Sequence, residues 1–292
     1  MIDYRKLIAW RFPVVEQSYD TDDTMLYALS LGFGEDPTDA NQLKFVTESL
    51  EGTPVVVPTM AVVLGFPGSW MADPGTGMDF SKSVHGEEEL VLHRPLPPVA
   101  TVEAHHRVVS IVDKGPGRGA LVAYDKVLYD KATGGKLATV THTTFARNDG
   151  GFSAVDGLTD PAPAPRPGPP LSPPERVATF RTLTQQGLLY RLCADRNPLH
   201  ALPDAARAAG YPRPILHGLC TYGIACRAVM ASWCDHRPER LRSLFARFSS
   251  PVYPGETLRV EMYGDASEVL FRVVAVERDQ IVLDAGRAGI GD

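Results

Sequence analysis

Apolar and polar residues change their period along the chain, and the changes mark out its elements. Residues 19–32, Y-D-T-D-D-T-M-L-Y-A-L-S-L-G, open with acidic side chains and close on glycine. Acidic groups suit the first turn of a helix, Thr21 or Asp22 can cap it, and Gly32 can end it. Residues 58–65, P-T-M-A-V-V-L-G, predict a second, buried apolar helix. Beyond them the period becomes two. Segments 88–93, 101–112, 120–128 and 136–146 are rich in Val, Leu, Thr and Tyr. Gly/Pro turns such as D-K-G-P-G-R-G and A-T-G-G separate them, which predicts an antiparallel sheet.

Eight of the fourteen residues from 161 to 174 are proline. Such a run cannot build a sheet interior and favours extended polyproline conformation. Residues 149–176 are therefore the expected linker between a half at 1–148 and a half at 177–292. The second half repeats the order of the first. It predicts a helix over 182–194 and a short one over 203–209, with Pro203 in the first turn and Gly210 as the stop. A long buried helix over 217–233 follows, then strands over 244–252, 257–263, 268–276 and 280–285. L-Y-A-L-S-L-G at 26–32 matches L-Y-R-L-C-A-D at 189–195, and P-T-M-A-V-V-L-G at 58–65 sits like L-H-G-L-C-T-Y-G at 216–223. L-H-R-P-L-P-P at 92–98 sits like F-S-S-P-V-Y-P-G at 248–255. Each half thus offers one long apolar helix and a run of antiparallel strands. The expected fold class is α+β, with two antiparallel sheets, each wrapped around a long central helix, joined edge to edge.

Composition narrows the classes of function. A chain of 292 residues has room for two domains of ordinary size. An apolar fraction of 44% and a charged fraction of 22% are those of a globular protein. The net charge of −6 argues against a nucleic-acid partner. Charges run through M-I-D-Y-R-K-L-I-A-W-R-F-P at the start, with no apolar core of signal-peptide length. The most apolar stretch, 55–66, is short and broken by Pro58, so no membrane span is expected. The final G-I-G-D carries no lipidation or peroxisomal address, and a cytoplasmic location is expected. Cys193, Cys220, Cys226 and Cys234 form no C-x-x-C and read as buried thiols rather than as metal or redox groups.

The chemistry concentrates between residues 190 and 223. Y-R-L-C-A-D-R-N-P-L-H places Asp195 and His200 five residues apart, with Asn197 and Pro198 between them. Pro198 disfavours helix at Asn197, so a helix should stop near Asp195 and a tight bend should follow. A bend can aim a carboxylate and an imidazole at one point, which positions i and i+5 of one helix cannot. His217-Gly218 then opens the long apolar helix, whose free first-turn N–H groups can hold a developing negative charge. Singly, these residues read as a helix-end carboxylate, a structural histidine and helix punctuation. Together they read as a site. His217 reads as structural, and Glu48 as a packing or capping residue.

These motifs resemble the MaoC-like, type 2 (R)-specific enoyl-CoA hydratases in their double hot-dog form. That form is the hydratase region of peroxisomal multifunctional enzymes and also occurs as free-standing bacterial proteins. The resemblance is carried by residues 190–200, by P-I-L-H-G-L-C-T-Y-G at 214–223 and by A-R-F-S-S-P-V-Y-P-G-E-T-L at 246–258. V-H-G-E-E-E-L-V-L-H-R-P-L-P at 84–97 and L-K-F-V-T-E at 43–48 match more weakly. It implies that Asp195 and His200 hold the two catalytic positions. It also gives Asn197 the amide between them and Gly218 the backbone donor to the thioester carbonyl. Cys193-Ala194 stand where the family usually has Ser-Gly, and Ala201-Leu202-Pro203 lacks an acidic residue common before that proline. Neither change removes a group the chemistry needs.

The implied reaction is reversible hydration of trans-2-enoyl-CoA to (R)-3-hydroxyacyl-CoA. It needs a base for water, an acid for C2 and a donor for the thioester oxyanion. No metal, nucleotide or flavin cofactor is implied, and the chain has neither a phosphate-binding G-x-x-x-x-G-K-[ST] loop nor H-E-x-x-H. A homodimer is expected. Arg237, Arg240, Arg242 and Arg247 read as a solvated basic run or as contacts for the phosphates of coenzyme A. Two other readings stay open: a hot-dog acyl-CoA thioesterase and a non-catalytic acyl-CoA-binding protein.

Overall fold

The computed structural model describes residues 1–48, 52–265 and 267–291. Its centre is one antiparallel sheet of ten strands. The first half supplies β1 (Val15–Tyr19), β2 (Ser83–Leu92), β3 (Ala100–Asp113), β4 (Ala120–Asp130) and β5 (Lys136–Ala146). The second supplies β6 (Arg176–Arg181), β7 (Leu241–Phe248), β8 (Thr257–Gly264), β9 (Glu268–Ala275) and β10 (Gln280–Ile290). Their order is β1-β3-β4-β5-β2-β7-β10-β9-β8-β6. Taken from either outer edge inward the sequence of strands is the same, so the internal repeat is a repeat of topology. The two expected sheets are one continuous sheet. β2 and β7 pair from Glu87↔Arg247 to Val91↔Ser243 and close the seam. The pairing gives partners to two rows of backbone groups that would otherwise be bare.

The helices are α1 (Tyr4–Ile8), α2 (Thr21–Ser30), α3 (Ala40–Leu43), α4 (Met60–Val63), α5 (Gln186–Cys193), α6 (Pro203–Ala208) and α7 (Gly218–Trp233). Asp20 caps α2, ahead of the Thr21 or Asp22 expected. Its carboxylate accepts the N–H groups of Asp22 and Asp23, and Asp23 returns a bond to the Asp20 N–H. Residues 220–230 of α7 are all buried, because the helix is enclosed by the sheet and by the first half. Among the described residues the first half has no equal to it. α4 is a single turn, hemmed in by Pro58 and by Gly65 at φ 63°, with β-branched Val62 and Val63 between. The carbonyls of Val62 and Leu64 accept from the buried Lys126 ammonium at 2.8 and 2.7 Å.

α5 begins four residues later than the sequence suggested. Thr182 gives its N–H and hydroxyl to the Glu256 carbonyl and is held outside the helix. α2 and α5 pack together, with the Tyr27 and Tyr190 rings 6.0 Å apart and Gln186 donating to the Ser30 carbonyl at 2.5 Å. The proline segment has no regular element, and β6 starts at Arg176, inside the expected linker. Arg166 lies 3.8 Å over the Phe245 ring of β7 and pairs with Glu89 of β2 at 2.8 Å. The linker therefore straps the seam on the face opposite Leu244 and Ala246.

Candidate active site

The site grows from the end of α5. Backbone geometry leaves the helix at Ala194, with φ −138° and ψ −112°. Asp195 Oδ1 then accepts the Asn197 N–H at 2.8 Å, and Asn197 Oδ1 accepts the Leu199 N–H at 3.0 Å. The second bond caps a 3₁₀ turn over Pro198–His200. These two side-chain-to-backbone bonds are the local code of D-R-N-P-L-H, and they fold His200 back toward Asp195.

His200 Nε2 stands 3.9 Å from Asp195 Oδ2. That is too long for a direct hydrogen bond and suits one bridging water. His200 Nδ1 is 2.9 Å from the Ile215 carbonyl oxygen. A carbonyl only accepts, so Nδ1 carries the proton and Nε2 faces Asp195 with a lone pair. Both groups at the gap are acceptors, and a water between them would donate to each. Burial holds the His200 pKa below the ordinary histidine range, against the Ile215 hydrogen bond and the Asp195 charge. The Asp195 side chain is half exposed and that of His200 only 10% exposed, so the pair spans the boundary between solvent and interior.

His217 supports both members. Its ring stacks on His200 at 3.8 Å with planes 28° apart, and Nε2 donates to the Asp195 carbonyl at 2.9 Å. Burial, and then the neighbouring His200, pull its pKa down to about 3. Asp195, His200 and His217 offer oxygen and nitrogen atoms within 4.8 Å of one another. His217 Nε2 and His200 Nδ1 are each already given to a backbone carbonyl, so the triad is built as a hydrogen-bonded unit.

Gly218 is the first residue of α7. His217, at the N-cap, makes no side-chain cap, and the first helical bonds run from Cys220 and Thr221 to the His217 carbonyl. The Gly218 and Leu219 N–H groups are therefore available, as first-turn groups are. A Cβ at 218 would lie 2.9 Å from Cδ1 and Cε1 of Phe248, so the ring of the last β7 residue walls this helix start.

The arginine run lies elsewhere. Arg237, Arg240 and Arg242 follow the C-terminus of α7, ~24 Å along a sixteen-residue helix from Gly218. Arg237 pairs with Glu239 at 2.8 Å and Arg240 with Asp235 at 2.6 Å. Arg242 lines a cavity with Arg94 and Glu239. Arg247 pairs with Glu87 at 2.8 Å across the seam. Cations gather at this end because carboxylates and the negative end of the helix dipole meet them there. The fold thus brings Asp195, Asn197, His200, His217 and Gly218 together and leaves Arg237, Arg240 and Arg242 beyond the other end of α7, while Arg247 precedes Phe248 in β7 and is given to Glu87. Glu48 is exposed, next to residues 49–51, which lie outside the described residues.

Sequence reading passed over Phe248 and a second polar cluster beside it. His85 touches Phe248, with ring centres 4.3 Å apart, and shares the buried carboxylate of Glu88 with His142. The available signal was Glu88 in register with the inward-facing Leu90.

Comparisons with known proteins agree with this architecture over the whole chain. Residues 17–148 match the family described as MFE-2 hydratase 2 N-terminal domain, and residues 166–285 that described as MaoC like domain. The Mycobacterium tuberculosis protein named Enoyl-CoA hydratase ChsH3 is 37% identical over 290 residues, 98% of this chain and 97% of that protein. The Arabidopsis thaliana protein named Enoyl-CoA hydratase 2, peroxisomal, is 35% identical over 95% of this chain and 92% of its own. Among solved structures, a MaoC-like dehydratase from Phytophthora capsici superposes with a TM-score of 0.85 at 30% identity, covering 100% of this chain and 99% of that one. With the repeated strand order, the single enclosed helix and the Asp-Asn-His bend all in place, the chain belongs to the MaoC-like, type 2 enoyl-CoA hydratase family, in its double hot-dog form.

Proposed function

We propose that the protein catalyses reversible hydration of trans-2-enoyl-CoA thioesters to (R)-3-hydroxyacyl-CoA. One observation carries this reading: two acceptors, His200 Nε2 and Asp195 Oδ2, face each other across 3.9 Å. A water held there donates to both. Its oxygen bonds to C3 while one of its protons passes to the pair. The C2–C3 π electrons move toward the thioester oxygen, and the pair returns a proton to C2. The Gly218 N–H, with the α7 dipole behind it, meets the charge that grows on that oxygen. Asn197 keeps the bend closed, and His217 holds the Asp195 backbone. The reaction so drawn needs no metal, nucleotide or flavin, and coenzyme A enters as part of the substrate. Residues 1–148 supply the acyl pocket and half of the sheet, while residues 177–292 supply the catalytic groups.

The names of the mycobacterial and plant relatives support the substrate class. Among the described residues no helix is long and apolar enough to cross a membrane. A cytoplasmic location goes with this reading and fits the bacterial relatives, whereas the plant relative is named peroxisomal. A homodimer is also part of it, and light scattering at the mass of one 31.7 kDa chain would remove that part. The test of the activity is loss of enoyl-thioester absorbance across a chain-length series, with the product's configuration determined. An (R)-3-hydroxyacyl product is expected. Release of free thiol would point to a thioesterase, and tight binding without turnover to a binding protein.

A further inference from the structure

The second polar cluster, which meets Phe248 through His85, is not used by the chemistry above. Glu88 on β2 is buried, with its side chain 2% exposed, yet it carries two partners. His85 Nε2 lies 3.0 Å and His142 Nδ1 3.1 Å from the same oxygen, Oε2. Burial pushes the Glu88 pKa up, but the bonds from His142 and His85 outweigh it and bring it to about 2. An ionised carboxylate only accepts, so both nitrogens that face it must be N–H donors. His85 Nε2 also faces the Glu87 carbonyl at 3.2 Å, which requires the same proton. Burial, then the neighbouring His142, holds the His85 pKa at about 4, so that ring is neutral at pH 7. The buried Lys126 ammonium balances the Glu88 charge from the next strand but one.

The consequence lies on the opposite edges of the two rings. A neutral imidazole carries one proton, so in that form His85, bonded through Nε2, presents a lone pair at Nδ1, and His142, bonded through Nδ1, presents one at Nε2. The side chains are 23% and 21% exposed, although the carboxylate that anchors them is sealed. The rings lie face to face, centres 3.8 Å apart and planes 32° apart. A metal shared by both nitrogens would have to sit in both ring planes, and faces stacked this closely do not converge on such a point. The arrangement is that of two oriented acceptors. Around it runs an otherwise weakly polar aromatic tract: Phe248 next to His85, Tyr124 5.0 Å from His142, and Trp70 5.5 Å from Tyr124. An all-alkyl ligand packed on this tract would strip water from the two lone pairs and give nothing back. A ligand bearing a donor would satisfy them.

We propose that His85 and His142, oriented by Glu88, form a subsite that accepts a hydrogen bond from an N–H or O–H group of the thioester ligand, away from its reacting carbons. This deepens the hydratase reading and rests on it only for the identity of the ligand as an acyl-CoA. Two parts of such a ligand carry the chemistry: a hydroxyl on the acyl chain, or an amide of the pantetheine arm.

Equilibrium binding of saturated acyl-CoAs tests this without any turnover, so failure here and failure of the hydratase reading are separable. Calorimetry would compare a plain chain with chains carrying one hydroxyl at successive positions. Acyl thioesters of a simple alkanethiol, which lack both amides, form the second arm. If the donor is on the acyl chain, one hydroxyl position binds at least ~10-fold more tightly than the plain chain, the scale of one hydrogen bond. His142→Phe and Glu88→Gln then collapse that ratio. If the donor is in pantetheine, the variants weaken plain acyl-CoA by a similar factor and leave the affinity for alkanethiol thioesters where it was. Circular dichroism confirms that each variant is folded, and His85→Phe is the second route should Glu88→Gln fail to fold. Variants that alter neither ratio would overturn the subsite. So would stoichiometric zinc in the purified protein that Glu88→Gln abolishes.

Discussion

Asp195 and His200 stand at a separation that makes each depend on the other through a third body. Neither touches its partner, so removing one leaves a water with a single acceptor. Asp195→Asn and His200→Gln should each lower kcat by ~10²-fold or more, while the double variant loses far less than the product of the two. Near-normal turnover in either would remove that residue from the mechanism. The pH dependence has a fixed sign. His200 needs its Nε2 lone pair, so kcat/KM is full above the His200 pKa and falls as pH drops through it. That pKa lies below the ordinary histidine value of 6.5 because burial lowers it, while Asp195 raises it. The acid limb should therefore sit below pH 6.5, and Asp195→Asn should move it lower still. A limb that moves up would contradict the assignment. Stability follows similar logic in His217, His85 and His106, whose pKa values fall to about 3, 4 and 4, mainly through burial. The unfolded chain binds these protons first, so their contribution is complete above pH ~6.5 and lost as pH falls toward 4. Urea midpoints at pH 7 and pH 4.5 would show it. At this scale the sequence was most legible where chemistry is local. Asn197 and Pro198 encode the bend between Asp195 and His200 within six residues. His85 and Glu88 share β2, but His142 and Phe248 reach them only through strand pairing, which no local pattern announces.

Single elements show the same division. The strands of the sheet interior were legible because alternation and turn residues coincide, as over Lys136–Ala146. β1 and β6 were not, since they are the two edges of the sheet, five and six residues long, with little buried face to leave an apolar signature. α4 was over-read because an apolar run bounded by Pro58 and Gly65 has a helix's composition without its length. Two predictions belong to elements. Asp20 closes the capping box of α2, and Asp20→Ala should cost ~1 kcal/mol of stability in urea unfolding. Gly218 matters through the contact between α7 and β7. A methyl there meets the Phe248 ring at 2.9 Å, so even alanine forces the ring or the helix start to shift. Gly218→Ala should reduce kcat/KM, and Gly218→Val by at least ~10²-fold, the loss of about 3 kcal/mol that goes with one oxyanion donor. Pairing Gly218→Ala with Phe248→Leu should recover part of it. A fully active valine variant would leave Gly218 as a turn residue only.

For the molecule as a whole, the seam decides whether either half can stand alone. Five residue pairs of β2 and β7 join the halves, and Arg166 of the linker clamps both strands from behind. On the inner side α7 leans on first-half residues: Leu31 lies against Gly223, and Arg227 donates to the Leu31 carbonyl and to Gln42. Helix α7 is thus enclosed by both halves although the second alone encodes it. Removing the first half would bare the β7 edge and one flank of a helix with no polar face. Exposed strand edges and large apolar patches drive association. Residues 175–292, a cut that keeps β6 whole, should therefore be insoluble or pair with themselves through β7 when expressed alone. Light scattering of the fragment, with hydration assays on short and long enoyl-CoAs, would measure both consequences. Self-pairing is the expected route to any residual activity, because a second copy of β7 can occupy the edge that β2 leaves. It would restore a sheet of this breadth without His85, Glu88 and His142. A soluble monomer hydrating long-chain thioesters at the full rate would show instead that the first half contributes neither the pocket nor the support ascribed to it.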